Sequence, residues 1–211
     1  MGFLGRLRDV ISGKIARGNA LVGNHGVRIA DKLKTDSSWI GFTLWTTNYC
    51  TTYFLTELLF SETPTENFKY SDGTEEHNPF KKRIDLLDEE GSYEMFKLLA
   101  GYFFAGLLAV GLRPDDETRI YIPELKNRFF AIYEYNDKDK EIFCELLKLT
   151  QDASASHPEC RLYEYIFERA YKIDPPPYAY QMSYFMLSVK YTFNKSLVPA
   201  LVEGWKTDNQ R

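Results

Sequence analysis

Apolar residues at the start of this chain recur at Leu4, Leu7, Ile11, Ile15, Val22, Ile29 and Leu33. Gly18 and Gly26 complete the series, and the mean step of about 3.6 residues is that of a straight α-helix. The spacing predicts one amphipathic helical arm over residues 1–34. A different pattern follows. Trp39 to Thr56 is 18 residues without a charge, six of them threonine, preceded by the capping residues Asp36, Ser37 and Ser38. This predicts a buried helix running to about Phe60. Leu98 to Leu112 is a second uncharged stretch of 15 residues between Lys97 and Arg113. It is too short to cross hydrocarbon comfortably and reads as the core of a helix from about Ser92 to Gly111. Gly101, Ala105 and Ala109 form a ladder of small residues on one face of that helix.

Between these, residues 61–79 read as a loop with turns at Asp72-Gly73 and Asn78-Pro79. A short helix is expected from Pro79 to Glu89. Ile120-Tyr121-Ile122-Pro123 reads as a short extended piece before a helix beginning near Pro123. Asp137 caps a helix with Ile142, Phe143, Leu146, Leu147 and Leu149 on its apolar side. Ser156-His157-Pro158-Glu159 resembles a capping box for the next helix, which Asp174 and Pro175-Pro176-Pro177 close. A last helix is expected from Tyr178 to Trp205, kinked at Pro199. Strand signals are scarce and no βαβ alternation appears. The expected fold is all-α: an irregular bundle of seven or eight helices with an N-terminal amphipathic arm. Residues 1–34 form the arm and residues 35–211 an acidic all-α domain.

Charge sharpens that division. The net charge is −4, but residues 1–34 hold seven basic and two acidic residues, leaving −9 on the remainder. A basic arm on an acidic body suits that same body, a protein partner, a second copy of the chain or an anionic membrane surface, whereas the body would repel nucleic acid. Leu4, Leu7, Ile11 and Ile15, flanked by Arg6, Lys14 and Arg17, are the candidate partner-binding residues. Six glycines fall in the first 26 residues, each costing up to about 1 kcal/mol in a helix interior, so the arm should order only on contact. Three cysteines with no CxxC point to a reducing compartment, and the expected location is cytoplasmic.

Catalytic motifs are absent from the sequence: no P-loop, dinucleotide fingerprint, nucleophile elbow or HExxH. His157 and Cys160 stand one helical turn apart but bring no orienting third group. Two weaker constellations remain. Asp85, Asp88 and Glu89 share one expected helical turn and are the candidate Mg²⁺ ligands, the basis of an alternative reading as a small helical enzyme acting on a phosphate-containing substrate. Thr43, Thr47 and Thr51 recur every four residues, with Asn48 and Glu57 nearby; Thr47, Asn48 and Glu57 are candidate ligand-pocket residues. The preferred reading is a non-enzymatic interaction or regulatory protein requiring no cofactor. A peptide of residues 1–34 is expected to be unordered in dilute buffer and helical on anionic vesicles. Circular dichroism checks this, and a fully helical monomer without vesicles would contradict it.

Overall fold

The computed structural model describes residues 18–36, 38–60, 67–69, 73, 75–110, 122–151 and 158–177. Among them are seven α-helices: α1 (Gly18–Leu33), α2 (Trp39–Phe60), α3 (Pro79–Lys82), α4 (Glu89–Val110), α5 (Ile122–Ile132), α6 (Asp137–Gln151) and α7 (Pro158–Tyr165). The fold class is all-α. One short 3-10 turn (Ile84–Leu86) follows α3, and a π-helical segment (Ile166–Tyr171) continues α7 without a break. No described helix is long and apolar enough to cross a membrane.

Local chemistry sets most boundaries. Ser38 caps α2, its Oγ accepting from the Gly41 amide at 3.1 Å, while Asp36 accepts from the Ser38 amide at 3.0 Å. Asn136 rather than Asp137 caps α6. Its Oδ1 accepts from the Asp139 amide at 2.9 Å, and Asp139 returns the favour by accepting from the Asn136 amide at 3.1 Å. The helix expected over residues 79–89 is broken. Asn78, with φ of 32°, opens α3, and Leu87 is extended at φ −87°, ψ 101°, so the chain makes two tight turns before α4. Asp88 then starts α4 earlier than expected, its Oδ1 accepting from the Gly91 amide at 2.6 Å.

The segment expected as a loop holds a small antiparallel ribbon, β1 (Asn67–Lys69) with β2 (Glu75–His77), in the register Phe68 to Glu76. Gly73 sits between the strands at φ 85°, a conformation that suits glycine. Three-residue strands carry no alternation to read, which is why the sequence pattern shows only the turn. The expected helix from Tyr178 to Trp205 lies outside the described residues, as do Ser156 and His157.

Helix α4 is the axis of the bundle, packed by α1 and α2 on one side and by α6, α7 and the π-helical segment on the other. Its side chains Phe96, Leu99, Ala100, Phe103, Phe104 and Ala105 have no exposed surface. Complete burial of such a side chain is worth about 1.5–3 kcal/mol for the larger ones. Aromatic rings fill the joints. Phe104 stacks on Phe129 of α5 at 4.2 Å, Phe54 of α2 meets Phe103 edge-on at 5.8 Å, and Phe80 stacks on Phe167 at 5.1 Å. At Gly101, α4 admits a side chain rather than another backbone: a Cβ there would meet the Tyr135 hydroxyl.

Gly91 is the exception. A Cβ there would collide with the backbone carbonyl of Ala170 in the π-helical segment, and a carbonyl held in a helix cannot step aside. Gly91→Ala is expected to lower stability by about 1–3 kcal/mol, the usual range for overpacking. Urea unfolding monitored by circular dichroism measures this, and an unchanged midpoint would contradict it.

Candidate functional site

Four charged side chains meet beside α4. Lys97 Nζ lies 2.6 Å from Glu94 Oε1 and 2.8 Å from Asp139 Oδ2; Arg169 Nη2 lies 2.7 Å from Glu94 Oε2 and 2.7 Å from Asp139 Oδ1. Each cation thus bridges both carboxylates, and each carboxylate gives one oxygen to each cation. The ring is electrically neutral and joins α4, α6 and the π-helical segment. Lys97 and Asp139 side chains are only 7% and 5% exposed. Burial of that kind costs several kcal/mol per ion and is tolerated because the partners and hydrogen bonds are in place. The contact of Arg169 with Glu94 is an ion pair without hydrogen-bond geometry, since Glu94 Oε2 accepts no hydrogen bond.

Asp139 is held in its charged form. Burial, the largest single influence, pushes its pKa up. The Lys97 hydrogen bond, the Asn136 amide and the charges of Lys97 and Arg169 together outweigh it and hold the carboxyl below the ordinary aspartate value. The Tyr135 hydroxyl braces the same spot by donating to the Lys97 carbonyl at 2.6 Å. Glu94, Lys97, Gly101, Tyr135, Asp139 and Phe143 are among the residues lining a cavity of about 10 Å³, room for about one water and not for a substrate. The ring has the chemistry of a structural staple.

The second polar centre is the joint that holds α1. Ile29 and Leu33 are buried, and Gly26 lets α1 approach so closely that a Cβ would run into Thr52. Asn48 of α2 donates to the Gly26 carbonyl at 2.9 Å. On the outer flank, Lys32 pairs with Glu134 at 2.8 Å and Arg28 with the same carboxylate at 3.6 Å. Glu134 stands in the turn after α5 at φ 56°, where the Lys32 hydrogen bond holds its carboxyl below the ordinary range. Arg28 also lies 4.5 Å over the Tyr93 ring, and Tyr93 donates to the Tyr133 carbonyl at 3.0 Å. The second half of the expected arm is therefore a built-in helix of the bundle. Leu4, Arg6, Leu7, Ile11, Lys14, Ile15 and Arg17 lie outside the described residues.

The other expected site residues do not converge. Thr47 is buried and donates to the Thr43 carbonyl at 2.9 Å, the i−4 bond that lets a helix bury a hydroxyl. Asn48 is engaged with Gly26, and Glu57 is exposed. The polar stripe of α2 serves its own helix and the joint with α1. Asp85, Asp88 and Glu89 do not share a helical turn: Asp85 sits in the 3-10 turn, Asp88 caps α4, and Glu89 is its first residue. The Asp88 carboxyl is held below the ordinary range, first by the Gly91 amide. Among the described residues no group of three or more His, Cys, Asp or Glu is placed to hold a metal ion. The extended Leu87 separates Asp85 from Asp88 and Glu89, so the three acids do not gather on one turn as expected. No disulfide joins the three cysteines, and burial pushes the Cys50 thiol up to about 12, far from a reactive thiolate.

Sequence reasoning missed the ring of charges. Its members lie up to 75 positions apart, and singly each reads as a solvated helix charge. One signal was present: Lys97 is the lone charge inside the otherwise uncharged run from Met95 to Leu112. No known protein family matches this chain, and neither a curated protein nor a solved structure matches it.

Asp139→Asn leaves the buried Lys97 and the partly exposed Arg169 facing one carboxylate and is expected to cost about 3–5 kcal/mol. Because the Asp139 pKa is lowered on folding, its contribution is complete above the ordinary aspartate pKa of 3.8 and fades as pH falls through the lower folded value. Urea unfolding of both proteins from pH 7 downward should show the gap narrowing only below pH 3.8. A gap independent of pH down to the acid unfolding limit would contradict this.

Proposed function

We propose that this protein works by binding rather than catalysis, and that the amphipathic segment ahead of α1 is its docking element. The observation that carries the reading is how α1 spends its own stripe. Ile29 and Leu33 are buried in the bundle, and Arg28 and Lys32 are engaged by Glu134. The same helical spacing continues upstream through Ile15, Ile11, Leu7 and Leu4, with Arg17, Lys14 and Arg6 on its flank, and residues 1–17 carry a net charge of +3. Apolar spacing with basic flanks matches an apolar surface rimmed by negative charge, on a protein partner or an anionic membrane. Three cysteines, Cys50, Cys144 and Cys160, with no disulfide among them support a cytoplasmic place of work.

Reversing three charges in the full chain (Arg6→Glu, Lys14→Glu, Arg17→Glu) tests the reading without disturbing α1. At about 1 kcal/mol for each basic residue near an anionic surface, binding should fall by two orders of magnitude or so. Co-sedimentation with vesicles containing phosphatidylserine and pulldown of a stoichiometric protein partner are the two readouts. A wild-type chain that binds in neither, or a variant that binds as well as wild type, would overturn the proposal.

A further inference from the structure

His25 is placed oddly. It lies on the buried face of α1, 5% exposed, with its ring 4.9 Å from Tyr93 and 6.0 Å from Phe96 of α4. Its Nε2 is buried without a hydrogen-bond partner. A phenylalanine would fill an aromatic slot of this shape without burying an unpaired nitrogen, so histidine gives up stability here. What histidine alone brings is a proton that arrives within an accessible pH range.

We propose that His25 is an acid-operated release for helix α1. Protonation puts a charge on a buried ring whose Nε2 meets no hydrogen-bond partner among the described residues, between the two helices whose contact keeps α1 in the bundle. The groups around that slot do not relieve it. On α1 itself, Arg28 is also a cation and presses on the same Tyr93 ring. From α4 come Tyr93 and, 5.5 Å over its ring, Lys97, whose charge Glu94 and Asp139 already share. From the turn after α5 come Tyr133 and Glu134, the latter taken by Lys32 and Arg28. From α2, Asn48 directs its amide at the Gly26 carbonyl, beside His25.

Burial, and then the charge of Arg28, lower the His25 pKa from 6.5 to about 4. A ring that is neutral when α1 is docked and takes a proton when α1 leaves makes docking weaken as pH falls between those values. It is fully docked above the higher value, and the effect levels off below the lower one. The release stands without the docking proposal; that it also frees the segment ahead of α1 rests on that reading.

Amide hydrogen exchange of the full chain, with no vesicle or partner present, tests the release separately from docking. Between pH 6.5 and about 4, protection of peptides from α1 should fall relative to those from α4, approaching about tenfold per pH unit. His25→Phe should abolish the extra loss, and His25→Gln, neutral but still polar, should do the same if the aromatic replacement disturbs folding. Glu134→Gln should keep the pH response. Constant relative protection in the wild-type chain, or a response that survives both His25 variants, would overturn the proposal. So would a response abolished by Glu134→Gln, which would assign the acid sensitivity to the ion pairs instead.

Discussion

The neutral ring of Glu94, Lys97, Asp139 and Arg169 is the constraint around which the described bundle is arranged. Aromatic packing around α4 is strong but tolerant, because stacked rings can slide by a fraction of an ångström at little cost. Four charges largely withdrawn from water allow less play. Displacing any one of them leaves the other three with one charge uncompensated, at a cost of several kcal/mol. The ring therefore sets the register of α6 and of the π-helical segment against α4, and the ring stacks fill what that register leaves.

The opposite side of α4 is built on different terms. There, α1 and α2 meet through a glycine, a threonine and one side-chain amide, and the ion pairs sit on the rim, half open to water. Exposed pairs such as Arg28 with Glu134 contribute little and are screened by salt. One face of the axis helix is locked by buried charge, the other held by close contact and aromatic edges. An element meant to move would belong on the second face, and that is where the amphipathic segment joins the body.

How much of this could be read from the chain depends on the range of the interaction. Helices α2, α4, α6 and α7 are legible because their apolar spacing and their caps lie within a few residues of one another, as at Ser38 and Pro158. Thr47 and Thr51 of α2 bond to carbonyls four residues back, a local event that their spacing alone does not distinguish from a polar pocket lining. The ribbon at Phe68 and Glu76 was not legible, because three residues are too few for an alternation. Arg169 and Asp139 were not either, as two solvent-type residues 30 positions apart give no hint that they will touch. The glycine-rich pattern of the arm announces a helix that orders on contact, and Gly26 is where that contact is made. The pattern could not say that the surface approached is the chain's own second helix.

The widened turn from Ile166 to Tyr171 has a consequence for how this sequence can vary in length. A π-helical turn accommodates one residue more than the α-helix around it would. Excising Phe167 would restore the regular winding and leave the following side chains on nearly the same bearing, whereas excising a residue from the regular turns of α7 would swing them around the axis by about 100°. In the second case the guanidinium of Arg169 would point away from both carboxylates. The wide turn thus absorbs a change of length that α7 does not, although its own Phe167 is fully buried.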